Sequence, residues 1–272
     1  MPYQRMITLT TDFGLTEHYV GAMKGVIHSI NPVVQMADIT NSVQSFDILD
    51  GAIAISQAYS YFPNGTVHLV VVDPGVGGQR RPILATIGEH LFVAPDNGVL
   101  SLVYEREERI LVRHITSEHY FRQPISNTFH GRDIFAPVAA WLSKGVDTDK
   151  FGDEITDYVR FLAPKPKTIA PNTWKGVVLK ADKFGNLITN ISPRDIPQLF
   201  DGSSTFKITI GKAEVTKFRS SYSEGAQGEL FALLGSTGFL EISANRGPAS
   251  RLAGADKGGE VAVTLTGGAT AD

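Results

Sequence analysis

Residues 67–72, VHLVVV, form a valine-rich run that ends abruptly in Asp73-Pro74-Gly75. A β-branched run without polar alternation fits a strand covered on both faces, as in parallel sheets flanked by helices. The preceding segments agree with this reading. Met6–Thr10 reads as a short apolar strand, and Glu17–Ile30 reads as a helix with Val20, Met23, Ile27 and Ile30 on one face. Val34–Asp38 follows as a strand and Phe46–Tyr61 as an apolar-rich helix. Such alternation predicts an α/β domain with a mainly parallel sheet of Rossmann-like type. Short antiparallel additions come next: a hairpin of Pro82–Ile87 and His90–Ala94 around Gly88-Glu89, then Arg109–Ile115. Arg132–Lys144 reads as a helix bent near Pro137.

The texture changes near Leu162. APKPKTIAPN places Pro164, Pro166 and Pro171 close together, which suits neither a helix nor a central strand. The expected organisation is therefore a first domain over 1–163, a proline-rich linker over 164–172, and a smaller all-β, barrel-like domain over 173–272. The strands expected in that second domain are Lys175–Lys180, Leu187–Ile191, Thr205–Ile210, Ala213–Phe218, Glu229–Leu234, Gly238–Ser243 and Glu260–Leu265. The terminal GGATAD is read as frayed.

Composition narrows the partners. A formal net charge of -3, with no Lys/Arg run longer than Arg80-Arg81, gives no field for a phosphate backbone and argues against nucleic acid. Zero cysteines remove thiolate catalysis and Cys-based metal sites. The chain shows no apolar stretch of the roughly 7–15 residues found in signal peptides at its amino terminus, and nothing approaching ~18 consecutive apolar residues. A cytoplasmic protein with a small-molecule substrate and no membrane contact is expected.

Three polar clusters follow strands or open helices. Asp12, in TTDFG after the first strand, can accept hydrogen bonds from the two hydroxyls of a ribose; alternatively, Asp12 or Thr16 caps the next helix. Asp73-Pro74-Gly75-Val76-Gly77-Gly78-Gln79-Arg80 ends the valine-rich strand with a loop that a ligand can approach closely, or it is simply a strand-end turn. In Thr128-Phe129-His130-Gly131-Arg132-Asp133, His130 is the best placed of the seven histidines for chemistry, although a structural role is open, and Arg132 and Asp133 read as a helix-entry pair. No HExxH, calcium-loop, P-loop or Gly-x-Ser-x-Gly pattern is present.

TDFG at 11–14, DPGVG at 73–77, PDNG at 95–98, FHGRD at 129–133, FGN at 184–186 and GSTGFLEISANRG at 235–247 together resemble the S-adenosylmethionine hydroxide adenosyltransferase family, relatives of the fluorinating and chlorinating enzymes. The resemblance implies a homotrimer, with sites between one subunit's first domain and a neighbour's second. It implies that Asp73, Arg80 and His130 position an attacking water, with Arg81 adjacent to the expected arginine. It also implies that Asp12 holds the ribose, that Asn186 lies near the methionine end or the sugar, and that Phe184 stacks on adenine. Ser236, Glu241 and Asn245 fall where the family contacts methionine or adenine, and Tyr222 in SSYSEG is a further candidate. As turn or core residues, Ser236, Asn245, Asn186 and Phe184 also have purely structural readings.

The implied reaction hydrolyses S-adenosyl-L-methionine to adenosine and methionine by in-line attack of a water-derived hydroxide at C5′, with no metal and no cofactor. A thioether leaves readily, so the demand falls on the nucleophile. Alternatives are a halide-using 5′-halo-adenosine synthase, a non-catalytic S-adenosylmethionine or adenosine sensor, and a metal-dependent phosphohydrolase using Asp12, Asp73 and His130. A carboxylate at Asp73 disfavours an incoming halide, and no long insertion lies between Phe92 and Ser101, where fluorinating relatives carry an extra loop.

Overall fold

A computed structural model describes residues 5–268, so residues 269–272 of the GGATAD tail lie outside the described residues. The chain divides into two compact units, Met1–Ala163 and Pro164–Asp272. The first is built from β1 (Ile7–Thr11), α1 (Tyr19–Ile30), β2 (Met36–Thr40), α2 (Ile48–Ala58), β3 (Val67–Val71), β4 (Pro82–Ile87), β5 (His90–Pro95), α3 (Ser101–Tyr104), β6 (Ile110–His114), α4 (Ala136–Ser143) and β7 (Glu154–Ile155). Its sheet runs β2-β1-β3-β5-β4-β6-β7. β2, β1, β3 and β5 are mutually parallel, and β4, β6 and β7 extend the sheet antiparallel. The order reverses between β1 and β3, since the chain leaves β1 towards β2 and leaves β3 towards the opposite edge. A crevice at the carboxyl ends of those two strands is where ligands of open α/β sheets bind.

All five residues of β3 are buried, as the valine-rich run implied. Leu69 and Val71 pack on one face with Met23, Ile27, Phe135 and Val138, while Val70 and Val72 pack on the other with Ile55, Val99 and Val103. Helix α2 begins at Ile48, two residues later than the expected start, because the Asp47 carboxylate accepts the Asp50 N–H at 2.9 Å as an N-cap. Phe46, with φ 67°, lies in left-handed backbone that no helix can include. The helix expected from Arg132 is two pieces, a π-helical turn over Gly131–Phe135 and then α4. The two run on without a break, Phe135 and Ala136 both keeping helical backbone, and the Asp133 carbonyl four residues before Pro137 accepts the Arg122 N–H at 2.8 Å instead.

One polar chain crosses the sheet. Thr8 Oγ1 meets His68 Nδ1 at 2.7 Å, and His68 Nε2 meets His90 Nδ1 at 3.3 Å. Burial, and then the neighbouring His90, push His68 down to about 3. Between that value and the ordinary histidine value of about 6.5, the unfolded chain takes up a proton that the folded chain refuses, so stability falls as pH drops through this window. His68→Phe should therefore be less stable at pH 7, having orphaned Thr8, yet lose less of its melting temperature between pH 7 and 5. Parallel thermal melts of wild type and variant check this.

The second unit holds β8 (Lys167–Ala170), β9 (Thr173–Ala181), β10 (Leu187–Thr189), β11 (Ser204–Ile210), β12 (Ala213–Val215), β13 (Leu230–Leu234), β14 (Leu240–Ala244) and β15 (Glu260–Gly268). The order β12-β11-β15-β9-β10-β14-β13 is antiparallel throughout, and a bridge from Phe218 to Ala232 brings its two edges together into a nearly closed barrel. Val178, Leu187, Ile208, Ala232, Ile242 and Val261 fill its core. Each of the seven expected strands has a counterpart. The proline-rich stretch read as a linker differs: Lys167–Ala170 pairs with β9 as an edge strand, exposed along its length, which is the sheet position where nearby prolines are tolerated. Among the described residues, no helix is long and apolar enough to cross a membrane.

Candidate functional site

Asp12 is the first residue beyond β1 and Asp73 the second beyond β3, so strand pairing alone places them on either side of the crevice. The loop after Asp73 folds back on itself through Val76 N–H to Asp73 O at 3.2 Å and Gly78 N–H to Gly75 O at 3.0 Å. This return brings Arg80 onto Asp73. Arg80 Nε donates to Oδ1 at 2.9 Å and to Oδ2 at 3.0 Å, and Nη2 also donates to Oδ2. The side chains of Arg80 and Asp73 are only 9% and 5% exposed. The guanidinium lies over Phe135, 5.2 Å from the ring centroid, so the pair has an apolar floor.

His130 completes the cluster from the start of the π-helical turn, with Arg80 Nη2 2.8 Å from its Nδ1. Arginine has no acceptor, so this contact requires a lone pair on Nδ1 and places the proton of the neutral ring on Nε2. Burial, and then the adjacent Arg80 charge, hold His130 below the ordinary histidine value, which favours the neutral ring. In this state His130 offers a donor at Nε2 and cannot take a proton there. The cluster thus presents a carboxylate acceptor, guanidinium donors and an imidazole N–H, a complete set for holding a water molecule. Arg81 points elsewhere, to Asp96 and Asp157.

The π-helical turn is anchored by Asp133. This fully buried carboxylate accepts from Arg132 Nε at 2.7 Å, Arg122 Nη1 at 3.2 Å and Ser126 N–H at 2.9 Å. It fastens the loop before His130 to the turn after it. Asp12 is not a helix cap: α1 has no side-chain cap, and Asp12 Oδ2 instead accepts the Phe46 N–H at 2.9 Å. Burial raises its carboxyl above the ordinary range, and Asp73 adds to the rise.

In the second unit, a cavity of about 620 Å³ is lined by Asp182, Phe184, Asn186, Tyr222 and the segment Ala244–Pro248. Phe184, 76% exposed, presents its ring to the cavity from a tight turn. Asp182 organises that turn, accepting from Phe184 N–H at 2.9 Å, Asn186 N–H at 2.8 Å and Asn186 Nδ2 at 2.9 Å. Gly185 has φ 85°, and a Cβ there would lie 2.6 Å from Pro248, so the turn can close on the opposite wall only with glycine. Glu241 is buried behind the cavity rather than on its wall, and it accepts from Tyr222 Oη at 2.8 Å and Ser243 Oγ at 2.7 Å. Asn245 spends its amide on Gly225 O at 2.8 Å. Ser236 is exposed and does not line the cavity.

Sequence reasoning missed Asp182, although an aspartate opening Asp-Lys-Phe-Gly-Asn is the signal of a side-chain-to-backbone turn. Arg246 and Pro248 were missed as well, having no motif chemistry of their own. Nothing in sequence marked Phe46 as a backbone donor to Asp12.

Two family matches cover most of the chain: the SAM hydroxide adenosyltransferase N-terminal domain over residues 7–152 and the C-terminal domain over 176–262. The chain is 36% identical over 269 residues to the (R)-S-adenosyl-L-methionine hydrolase of Methanocaldococcus jannaschii, spanning 95% of both proteins. It is 34% identical over 262 residues to the protein of that name from Salinispora tropica, spanning 95% of this chain and 97% of the relative. A fluorinase of Actinoplanes is more distant, at 27% over 280 residues, 89% of this chain and 92% of the relative. A Thermotoga maritima crystal structure of an uncharacterized conserved protein superimposes with a TM-score of 0.88 at 37% identity, covering 95% of this chain and all of that one. With both family domains matched in order, and with relatives above 30% identity over nearly its whole length, the chain belongs to the SAM hydroxide adenosyltransferase family.

Proposed function

We propose that this protein hydrolyses S-adenosyl-L-methionine to adenosine and L-methionine, and that its substrate is the (R)-sulfonium epimer named for its relatives. The observation that carries this reading is the hydrogen-bonded Asp73–Arg80–His130 cluster at the switch point of the sheet. A water held by these groups meets an acceptor in Asp73 and donors in Arg80 and His130. As its oxygen bonds to C5′, the C5′–S bond breaks and its electron pair leaves as the methionine thioether. The proton released from the attacking oxygen passes to Asp73 and then to solvent. Arg80 and His130 stabilise developing hydroxide character, and attack on a sulfonium cancels charge, so a water-poor site favours the transition state. Geometry supplies the rest, with the reacting atoms held at ~3–3.5 Å in line.

Asp12 fits the ribose hydroxyls, and the second unit's cavity, with Phe184, Asn186, Tyr222 and Asn245, fits the adenosyl and methionine groups. Glu241 serves by holding Tyr222, and Ser236 would reach the ligand from outside the cavity wall. The functional assembly in this reading is a cytoplasmic homotrimer, in which one subunit's cluster completes a neighbour's cavity; no cofactor is used. A halide in place of water would have no proton to give the Asp73 carboxylate, whereas water donates to that acceptor.

The test is chromatography of products from each sulfonium epimer in chloride-free buffer with chelator, run in ¹⁸O-labelled water. Equimolar adenosine and methionine, with the label on the adenosine 5′-oxygen, is the expected result, and the (R) epimer should react faster. A 5′-halogenated adenosine on adding halide would move the protein to the halogenating branch, and tight binding of intact substrate would make it a sensor.

A further inference from the structure

The Asp73–Arg80 pair is made by the two ends of a glycine-containing loop, so the pair depends on what fixes the distance between those ends. We infer that Asp96 and Asn97, in the Pro95–Gly98 turn, are positioning residues that clamp both stems of this loop and so set the geometry of the reacting cluster, an inference that rests on the hydrolase reading above.

The entering stem is Val72. Its strand ladders stop short, at Thr11↔Val71 on one side and Leu69↔Val93 on the other, leaving the Val72 carbonyl without a strand partner. Asn97 Nδ2 donates to that carbonyl at 2.8 Å, while Asn97 Oδ1 accepts the Val99 N–H at 3.1 Å, which settles the orientation of the amide. The leaving stem is Arg81. Successive residues of extended chain point to opposite sides, so Arg80 can reach Asp73 only while Arg81 points away. Asp96 secures Arg81 there: Arg81 Nε and Nη2 both donate to Asp96 Oδ2, at 3.0 and 2.7 Å, and the Arg81 carbonyl accepts the Asp96 N–H at 2.8 Å. The other Asp96 oxygen accepts the Val159 N–H at 2.8 Å. Asp96 is 4% exposed, so its charge is buried as well as paired. One short turn thereby grips the chain immediately before Asp73 and immediately after Arg80, touching neither side chain. The PDNG motif gains a role that its position outside the cluster conceals.

The experiment compares Asn97→Ala, Asp96→Asn and Asn97→Asp with a packing control, Val103→Ala, in the full chain. A misplacement near 1 Å costs about 10²-fold in rate, so Asn97→Ala and Asp96→Asn should lower kcat about 10-fold or more, with KM for S-adenosylmethionine within about twofold. Val103→Ala, assayed well below its melting point, should keep its kcat. Asn97→Asp should regain activity relative to wild type as pH falls, because protonation restores a donor to the Val72 carbonyl. Selective ¹⁵N-histidine labelling gives a readout independent of turnover: the Nδ1 signal of His130, identified by its loss in His130→Gln, should shift in Asn97→Ala and Asp96→Asn but not in Val103→Ala. Unchanged kcat and an unchanged His130 signal in folded clamp variants, or equal losses in Val103→Ala, would overturn the inference. If wild type shows no turnover, the hydrolase reading fails, and the His130 signal still decides whether the clamp sets the cluster.

Discussion

Arg80→Ala should lower kcat by about 10²–10³-fold, with a much smaller change in substrate affinity. The guanidinium is asked to do two things that no neighbour can take over. It donates to Asp73 through two nitrogens and, through Nη2, to His130, so its loss releases both partners from their shared geometry. Donors aimed at developing negative charge are commonly worth this factor each. Asp73, 5% exposed, would also keep a buried charge without its partner, a defect that typically costs about 3–5 kcal/mol of stability. Arg80→Lys should rescue little of the rate, because a single ammonium cannot span Asp73 and His130 in one plane. Steady-state kinetics alongside calorimetric binding checks the split. Turnover of Arg80→Ala within about threefold of wild type would sink the role assigned to it.

Gly77→Ala should cost at least about 10-fold in kcat despite removing no functional group. Gly77 has φ 76°, where a Cβ alone costs about 1–2 kcal/mol, and that Cβ would lie 2.2 Å from the Asn127 carbonyl oxygen. The clash is with backbone and cannot be relieved by a rotamer change. Asn127 belongs to the loop that Asp133 ties to the His130 turn, so moving either loop separates Arg80 from His130. The distinguishing control is Gly145→Ala. Gly145 also has a positive φ, 90°, but a Cβ there meets nothing within 4 Å, so this variant should lose stability without losing rate at low temperature. Equal kinetic effects at the two positions would remove the packing of Gly77 against Asn127 from the account.

The fold was legible where apolar periodicity had one solution. VHLVVV could only be a central strand, and Val20, Met23 and Ile27 could only be the inner face of a helix. Boundaries shifted where a single local interaction decided them: the Asp47 cap at α2, the π-helical turn before Pro137, and the edge pairing that made a strand inside the proline-rich stretch. The cluster was visible as residue types but not as distances. Arg80 lies seven positions after Asp73 and His130 fifty positions after Arg80, and only the folded loop and the β3 stem turn those offsets into hydrogen bonds. The resemblance named Arg80 rather than the adjacent Arg81, but the physical reason lies in the fold, since it depends on which side of an extended chain Asp96 occupies. In the second unit, the resemblance put Ser236 among the ligand contacts, and its exposure outside the cavity wall is a matter of direction that sequence does not carry. Asp182 went unnoticed because its work is done on the backbone of its neighbours.

All bonds of the Asp73–Arg80–His130 cluster are made within Met1–Ala163, and the wall of the 620 Å³ cavity is made within Pro164–Asp272. On the proposed reading, heritable change in the loops around the cluster can therefore act on the attacking species while leaving the wall of the cavity untouched. If the proposed roles hold, a lineage could trade one nucleophile for another by rewriting a few loops in the first half of its gene, while Asp12 and the inherited second half kept their hold on the adenosyl group.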